Sequence, residues 1–281
     1  MKVLVLGGCG FIGSHLTERL IEDKHEVTVI DNLSTGKYIP ECHFIHADIR
    51  TCPLSGDYDV IFHLAARASI PDSFHNPTLS HAHNVNGTLR IIEFARHKKI
   101  PIIFSGSSAI YDEGENVNPV SPYALQKLIG EQYLKLYYRA YGLKSVILRY
   151  FSVYGERQPD YSSYQTVLSI FLKQYKNKEP FTITGTGEQR RDFVYVKDVV
   201  EANIKAMKFV NGFDVFDIGS GVNYSINEVA DMIDSKHPKQ YIPPRIEPFT
   251  TLCDYSKAKK MLGWSPKMEL KKWINQQLQL S

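Results

Sequence analysis

The N-terminal part of the chain alternates between two hydrophobic patterns. Residues 2–7, KVLVLG, form a continuous apolar run that ends in glycine, which is typical of a parallel strand buried on both faces. From Phe11 to Asp23 the apolar positions recur at helical intervals instead, at Ile12, Leu16, Leu20 and Ile21. This spacing predicts a helix with one apolar face.

The two patterns repeat as far as residue 150. Further strands are predicted at EVTVID (26–31), CHFIHAD (42–48), DVIFHLA (59–65), IPIIFSG (100–106) and KSVILRY (144–150). One helix is predicted over about 77–98, with a single apolar stripe of Leu79, Val85, Leu89, Ile92 and Ala95. Another is predicted from Ser121 to about Ala140, with Pro122 at its first position. This alternation predicts an α/β fold with a doubly wound parallel sheet.

After about Phe151 the loops lengthen, and Gly, Pro and Tyr become frequent. Helices are predicted over 163–177, 197–209 and 225–236, the last opening with a capping box from Ser225 to Glu228. The segments 213–221 and 254–264 complete this part. We predict a smaller C-terminal lobe interleaved with the first: residues 1–153 and about 191–219 form one domain, and 154–190 and 220–281 form the other.

Composition limits the function more than it defines it. The 281 residues carry a formal charge of only +3, which gives no reason to expect nucleic acid or a membrane surface as partner. No apolar run is long enough to span a bilayer. The four cysteines include no C-x-x-C pair, and no histidines cluster with metal-ligand spacing. We therefore expect a reduced, cytoplasmic protein without a metal site.

The turn after the first strand carries the first chemical signal. Gly7, Gly10 and Gly13 lie between a predicted buried strand and a helix, where glycines allow a tight turn and let the backbone approach a pyrophosphate. Asp31 ends the second strand, at the distance expected of a carboxylate that binds the ribose hydroxyls. Its charge would repel a 2′-phosphate, which favours NAD over NADP. The alternative is a glycine turn with a helix-capping Asp.

A second signal lies at the start of the helix after strand five. Tyr123 and Lys127 are four residues apart and so share one helix face. Half-ionising a tyrosine at pH 7 costs roughly 4 kcal/mol, and a cation about 4 Å away at an effective dielectric near 20 returns roughly 4 kcal/mol. Such a pair occurs by chance on many helices. The glycine turn and the SGSS segment at 105–108 favour a catalytic role.

With these motifs, the chain resembles the extended short-chain dehydrogenase/reductases, in their NAD-dependent sugar-nucleotide epimerase/dehydratase branch. The matching segments follow the order of the family: GGCGFIGSHL, VIDNLSTG, DVIFHLAA, NVNGTL, SPYALQK, LRYFSVYGERQ, GTGEQRRDFVYVKDV, FDIGSG and SKAKKMLGW. The resemblance implies a Rossmann domain that binds NAD and a C-terminal lobe that binds a nucleoside-diphosphate sugar. It also implies a homodimer through the helices near 80–97 and 121–140, where Tyr133, Leu134 and Tyr137 are candidate contacts or core residues.

The resemblance assigns a set of residues to the cofactor. Phe11 and Ile12 would offer backbone N–H groups to the pyrophosphate, Asp31, Asn32 and Ser34 would surround the adenosine ribose, and Asp48 and Ile49 would contact adenine. The other implied cofactor residues are Gly7, Gly10, Gly13, Leu64, Ala65, Ala66, Asn84, Tyr123, Lys127 and Phe151.

The same resemblance assigns catalytic and substrate residues. Ser107 matches the catalytic Ser/Thr beside Tyr123 and Lys127, and Arg191 and Arg245 match two arginines that hold a diphosphate, for which bidentate guanidinium geometry is suited. Ser107, Ser108, Ser152, Arg191, Arg245 and Thr251 are the implied substrate residues. Two departures affect the pocket: Ser152 stands where the family has Asn, and Asp112 where it has Gly. In isolation either arginine could be a solvated surface residue.

The residues after Ser107 decide between reactions. Dehydration of a 4-keto sugar needs an added acid/base pair, and the family's dehydratases carry acidic residues where this chain has Ser108 and Ala109. We therefore predict a UDP-sugar 4-epimerase that interconverts gluco and galacto forms through a transient 4-keto intermediate. The alternatives are a 4-keto reductase, a dehydratase with its acids elsewhere, or a non-catalytic NAD-binding regulator.

Thr251 bears on the choice of sugar. In related epimerases the residue three before the Asp of the D-x-S-K-A motif, here Asp254, forms a wall beside the C2 substituent. A threonine leaves space for an acetamide, which predicts that UDP-GlcNAc and UDP-GalNAc are accepted too. The alternative is an ordinary loop residue, because one residue is missing between Arg245 and Asp254 relative to the usual spacing.

Overall fold

The computed structural model describes residues 1–112, 116–159 and 165–279. Its strands are β1 (Lys2–Leu6), β2 (Glu26–Asp31), β3 (His43–His46), β4 (Val60–His63), β5 (Ile102–Ser107), β6 (Ser145–Tyr150), β7 (Ser152–Tyr154), β8 (Phe181–Thr184), β9 (Arg190–Tyr195), β10 (Phe213–Ile218), β11 (Asn223–Ser225) and β12 (Lys239–Ile242). Its α-helices are α1 (Phe11–Glu22), α2 (Ile70–His75), α3 (Pro77–His81), α4 (Thr88–Lys98), α5 (Pro122–Tyr141), α6 (Val167–Asn177), α7 (Val196–Phe209), α8 (Ile226–Asp234), α9 (Ser256–Leu262) and α10 (Leu270–Gln279).

A seven-stranded parallel sheet in the order β10-β6-β5-β4-β1-β2-β3 forms the centre of the described structure. The order reverses direction at β1, so the predicted doubly wound α/β fold is confirmed. The carboxyl ends of β1 and β4 are neighbours in this order. Ligands of such sheets bind outside the carboxyl ends of the strands at the reversal point, which is where the glycine turn lies.

Both faces of the sheet are covered. Alternate residues of β1 enter two different cores: Val3 and Val5 pack in the cluster that holds Leu16 of α1, whereas Leu4 and Leu6 pack in the cluster that holds Ile91 of α4. Side chains of a strand point alternately to opposite faces, so a continuous apolar run is what a strand between two helical layers requires. This explains why the sequence pattern identified β1.

The C-terminal part adds two smaller sheets, β11-β9-β7 and β12-β8. A third core cluster fills this part, with Phe171 of α6, Val229 of α8 and Trp273 of α10 among its members. The capping box at the start of α8 is present, with Ser225 and Glu228 exchanging hydrogen bonds. β10 returns to the edge of the main sheet, next to β6. The division into two domains at the residues given above stays a prediction.

The single helix predicted over 77–98 is wrong. The chain there forms α3, a π-helical turn over Ala82–Gly87 and then α4. A π turn holds more residues than an α turn, which moves the apolar positions on either side of it out of line. Leu79 is consequently 40% exposed, although Ile92 is fully buried. The helix predicted from 163 begins at Val167, and residues 163 and 164 lie outside the described residues.

None of the described helices is both long enough and apolar enough to cross a membrane.

Candidate active site

The glycine turn brings the main chain unusually close to itself. Gly7 has φ of +81°, and a Cβ atom there would lie 2.6 Å from the backbone nitrogen of Ala65. A Cβ atom at Gly13 would lie 2.0 Å from the carbonyl oxygen of Gly7. Any side chain at either position would displace the turn. Gly10 caps α1 without a side chain, so the first N–H groups of the helix stay available to an anion.

A cavity of about 380 Å³ connects this turn to the predicted catalytic residues. Its lining includes Tyr123, Lys127 and Ser107 together with the predicted residues Gly7, Gly10, Phe11, Ile12, Gly13, Leu64, Ala66, Ser108, Phe151, Ser152, Arg191 and Thr251. These residues come from segments as far apart as the turn after β1 and the loop after β12. We call this space the reaction cavity.

A smaller pocket lies beside the ends of β2 and β4. It is lined by the residues predicted to surround adenosine, which are Asp31, Asn32, Ser34, Asp48 and Ile49, and by the predicted cofactor residues Leu64, Ala65 and Ala66. We call it the adenosine pocket. Arg67 and His83 also line it. Sequence reasoning missed both, because Arg67 follows the DVIFHLAA segment without a motif of its own and His83 reaches the pocket through the unexpected π turn.

Asp31 combines the two roles that the sequence left open. Its carboxylate accepts hydrogen bonds from the backbone N–H groups of Cys9 (2.9 Å) and Leu33 (2.8 Å), and it lines the adenosine pocket. Burial raises its pKa, and these hydrogen bonds oppose that rise. Each oxygen keeps a further lone pair for a ligand hydroxyl. Asp31 therefore fixes the turn and keeps acceptor capacity towards the pocket.

Asp48 is held by its neighbour. The Arg50 guanidinium donates to both carboxylate oxygens, at 2.8–3.1 Å, and lowers the pKa of Asp48 to about 2. The carboxylate is thus ionised at every physiological pH. Its position in the pocket lining next to Ile49 is compatible with the predicted contact to adenine.

Asn84 differs in its location from the other residues assigned to the cofactor. It is buried, and it is not among the residues that line either pocket. Its side-chain oxygen accepts from the backbone N–H of Arg67 (2.8 Å), and its amide donates to the Arg67 carbonyl (3.1 Å) and to Gln126 (2.9 Å). Asn84 accordingly fixes the segment after β4, and through it the pocket wall.

The catalytic candidates meet where β5 ends and α5 begins. Burial raises the pKa of Tyr123, and a hydrogen bond between the Tyr123 hydroxyl and Ser107 opposes that rise. The Lys127 ammonium donates to the Ser105 carbonyl (2.8 Å) and hydroxyl (3.3 Å). Burial lowers the pKa of Lys127 to about 8. Lys127 therefore ties α5 to the end of β5, one residue before the Gly106–Ser107 segment.

A second, larger cavity opens from the first. It measures about 820 Å³ and shares Ser152, Arg191 and Glu247 with the reaction cavity, while Arg245 lies in its wall. Arg191 forms an ion pair of 2.9 Å with Glu247. Both arginines assigned to a diphosphate thus face one space, which we call the nucleotide cavity. Glu247, Gln189 and Thr182 also line it and were missed, since nothing local marks them.

Thr251 is a buried residue of the reaction cavity rather than an exposed loop residue. Its backbone N–H donates to the Arg190 carbonyl (3.1 Å), and its carbonyl accepts from Asn223 (3.1 Å). These contacts extend the β11-β9 pairing and fix Thr251 against the sheet. The wall position predicted for it is therefore structurally available.

The residues fit a dinucleotide. The close-packed glycine turn leaves the N-terminus of α1 bare at one end of the reaction cavity, and the adenosine pocket continues from it past Asp31. The turn would hold the pyrophosphate, Asp31 the ribose, and the space next to Tyr123 and Lys127 the nicotinamide.

Comparison with known proteins agrees with this arrangement. A model of the NAD-dependent epimerase/dehydratase family matches residues 3–219. A protein of Methanocaldococcus jannaschii, provisionally assigned as a UDP-glucose 4-epimerase, is 42% identical over 97% of this chain and 95% of its own length. The chain belongs to the NAD-dependent epimerase/dehydratase family. Family membership confirms both the resemblance seen in the sequence and NAD as the cofactor.

Solved structures of this family superpose closely. The UDP-glucose 4-epimerase of Thermotoga maritima with UDP-glucose is 35% identical, has a TM-score of 0.89 and is covered over 100% of both chains. The UDP-N-acetylglucosamine 4-epimerase of Methanobrevibacter ruminantium M1, in complex with UDP-N-acetylmuramic acid, is 35% identical with a TM-score of 0.90, over 100% of this chain and 99% of that one. Family members that are equally similar to this chain thus take different sugars.

Proposed function

We propose that this protein is a UDP-sugar 4-epimerase that interconverts the gluco and galacto configurations through a transient 4-keto sugar. One observation supports this most: the reaction cavity joins the dinucleotide turn, Tyr123 with Ser107, and an arginine-lined nucleotide cavity. A nucleoside-diphosphate sugar anchored at Arg191 and Arg245 would place its hexose at Tyr123. NAD, when bound at the glycine turn, would supply the reversible oxidation of a hydroxyl-bearing carbon.

The chain's own residues handle the proton and the orientation of the sugar. Tyr123, ionised, takes the proton of the C4 hydroxyl and returns it after the ring has turned over. Ser107, already hydrogen-bonded with Tyr123, orients that hydroxyl. The Lys127 charge favours the phenolate against the effect of burial. The arginines hold the diphosphate while the hexose turns.

The lack of an unpaired carboxylate among the described residues that line the reaction cavity favours epimerisation over dehydration. Among the described residues that line it, Glu247 is the one acidic side chain, and it is paired with Arg191. Ser108 and Ala109 also line the cavity, and neither a hydroxyl nor a methyl group can supply the acid/base pair that elimination of water needs. A 4-keto reductase and a non-catalytic NAD-binding protein remain the competing functions.

The second part of the proposal concerns the sugar. Thr251 lies in the cavity wall that also contains Tyr123 and Ser107. Because threonine is small, we propose that N-acetylated hexoses are accepted beside the plain ones.

A substrate panel tests the proposal. The purified protein with NAD is incubated with UDP-Glc, UDP-Gal, UDP-GlcNAc, UDP-GalNAc, UDP-glucuronic acid and dTDP-Glc, and proton NMR reports the C4 configuration. We expect inversion of UDP-Glc and UDP-Gal, and of the N-acetylated pair, without net consumption of NAD. Loss of water from the sugar, or turnover that needs added NADPH, would replace the epimerase with a dehydratase or a reductase. No change in any substrate would favour the non-catalytic reading.

We also propose a cytoplasmic homodimer that pairs through α4 and α5. Leu125 and Leu136 of α5 are 48% and 55% exposed, so an apolar face is open there. Leu134 cannot contribute, because it is fully buried in the core, and Tyr133 and Tyr137 are partly buried against the same core. Light scattering of the wild type and of Leu136→Glu tests the dimer: we expect a dimer that the glutamate weakens, and a monomeric wild type would refute it.

A further inference from the structure

An ion pair between a buried carboxylate and a mostly buried guanidinium lies directly behind the catalytic end of β5. Arg149 of β6 donates to both carboxylate oxygens of Glu131 in α5, from Nε at 3.1 and 3.2 Å and from Nη2 at 2.7 Å. Glu131 is 3% exposed. Burying two charges is costly unless the geometry is good and the remaining polar atoms are satisfied, so the presence of this pair calls for a physical role.

The pair touches the strand between two residues of the catalytic group. Gly106 pairs with Arg149 in the sheet register. A Cβ atom on Gly106 would lie 3.0 Å from both Arg149 Cγ and Glu131 Oε1. Ser105, which holds Lys127, precedes this glycine, and Ser107 follows it. The ion pair therefore packs against the backbone that positions both side chains.

The hydrogen bonds of this ion pair extend beyond β5. Arg149 Nη1 donates to the Tyr111 hydroxyl, which donates to Asp217 at 2.8 Å. Tyr111 follows the short 3₁₀ turn over Ser108–Ile110, and Asp217 lies near the end of β10. The network thus joins α5, β6, β10 and the turn after Ser107.

Lys127 and Glu131 are one helical turn apart on the same face of α5. Burial lowers the pKa of Lys127 to about 8, and the Glu131 carboxylate opposes that lowering. His63 of β4 also interacts with Lys127, but burial keeps it neutral by lowering its pKa to about 3. Ser105 and the Phe104 ring, 5.0 Å from the ammonium, bring no charge. The charged and titratable groups around the Glu131 carboxylate are Arg149, Asp217 and Tyr111.

We propose that Glu131 is a positioning residue that keeps the Lys127 ammonium charged, and that Arg149 holds its carboxylate in place. The reaction it serves rests on the function proposed above, but the charge of Lys127 can be measured without turnover. Protonated Lys127 is what favours the Tyr123 phenolate, so loss of that proton removes activity as the pH rises.

The experiment titrates Lys127 in protein labelled with ¹³C at lysine Cε, with Lys127→Met used to assign the resonance. In the wild type we expect titration near pH 8. Removing a charge one helical turn away should lower this midpoint by about one pH unit in Glu131→Gln, and Glu131→Asp should restore most of it. We also measure the pH profile of kcat with a UDP-sugar that turns over. The decline of kcat at high pH should move to the same lower pH as the Lys127 midpoint.

Asp198→Asn is the matched control. Asp198 is also a buried carboxylate, but it accepts from the backbone N–H groups of Lys267 and Met268, away from the cavity. The Asp198→Asn substitution should leave the titration midpoint of Lys127 unchanged, even if it destabilises the fold.

An unchanged midpoint in Glu131→Gln would overturn the proposal. If that variant does not fold, Arg149→Gln decides, because a buried carboxylate without its guanidinium takes up a proton and the midpoint must fall in the same direction. A pair whose loss prevents folding in both variants is a structural element, which also overturns the proposal. A shifted midpoint in a protein that turns over no UDP-sugar would support the role of Glu131 and refute the epimerase.

Discussion

The cofactor region and the substrate region of this protein are built in different ways. Most of the predicted cofactor contacts lie within residues 7–66. Many of them are glycines, backbone N–H groups and the carboxylates of Asp31 and Asp48. The residues predicted for the substrate region are Ser152, Arg191, Arg245 and Thr251. They line the two cavities from short strands and loops spread over a hundred residues of chain.

This difference separates the part of the site that the fold fixes from the part whose side chains can vary. A main-chain turn cannot change its ligand without changing the fold, because Gly7 and Gly13 leave no space for a side chain. Side chains such as Thr251 can change one at a time. The family resemblance therefore extends firmly to NAD and only coarsely to the sugar, as the different ligands of the two superposed structures illustrate. Tyr123, Ser107 and Lys127 lie where the regions meet.

The largest effect is expected at that junction. Tyr123→Phe removes the proton acceptor and should lower kcat by about 10²–10⁴, while NAD binding and thermal stability stay close to those of the wild type. Tyr154→Phe is the matched control, since Tyr154 is fully buried and donates to the Met268 carbonyl in the C-terminal core. A Tyr123→Phe enzyme within threefold of the wild-type kcat would remove Tyr123 from the chemistry.

In the substrate region, Thr251→Tyr should separate the two classes of sugar. The added ring would fill the space for an acetamide and lower kcat/KM for UDP-GlcNAc by about 10- to 200-fold, and spare UDP-Glc. Competition assays with both sugars measure the ratio. If both sugars lose equally, or neither changes, Thr251 does not form the wall beside the C2 substituent.

Arg191 and its neighbour Arg190 give a paired test of the nucleotide cavity. Adjacent residues of β9 face opposite sides: Arg191 lines both cavities, whereas Arg190 binds Asn223 and Glu228. Arg191→Met should weaken UDP binding by about 10- to 150-fold and leave NAD binding unchanged. Arg190→Met should leave the binding of both UDP and NAD unchanged. Calorimetric titration with UDP compares them, and equal losses in both variants would mean that Arg191 has no direct contact with the diphosphate.

The smallest effect is expected from a single side chain of the cofactor region, because the backbone provides most of that site. Asp31→Ala should weaken NAD by about tenfold and narrow the preference over NADP. Asp31→Asn keeps an acceptor for the turn but removes the charge, so it should narrow the preference with less loss of NAD affinity. Fluorescence titration with both dinucleotides measures this. Discrimination that stays at the wild-type level in both variants would limit Asp31 to supporting the turn.

The fold of the cofactor region and its NAD specificity class could be predicted because the signals are local. The β1 run, the three glycines and Asp31 lie within 31 residues, and strand and helix periodicity place them unaided. The substrate region offers no comparable signal: β7, β11 and β12 have three or four residues each, too few for a period to show. Glu247 joins Arg191 only through tertiary packing. The π turn over Ala82–Gly87 was likewise hidden, because its stabilising contacts, such as Asn84 with Arg67 and Gln126, come from elsewhere in the chain.

The central claim is that one site oxidises and restores the same carbon of a UDP-sugar, and an isotope label tests it most directly. UDP-glucose deuterated at C4 is incubated with the purified protein and its NAD, and the product is examined by proton and deuterium NMR. We expect UDP-galactose that keeps the deuterium at C4, with no NAD consumed. Deuterium lost from C4, or a product that keeps the gluco configuration, would contradict the account.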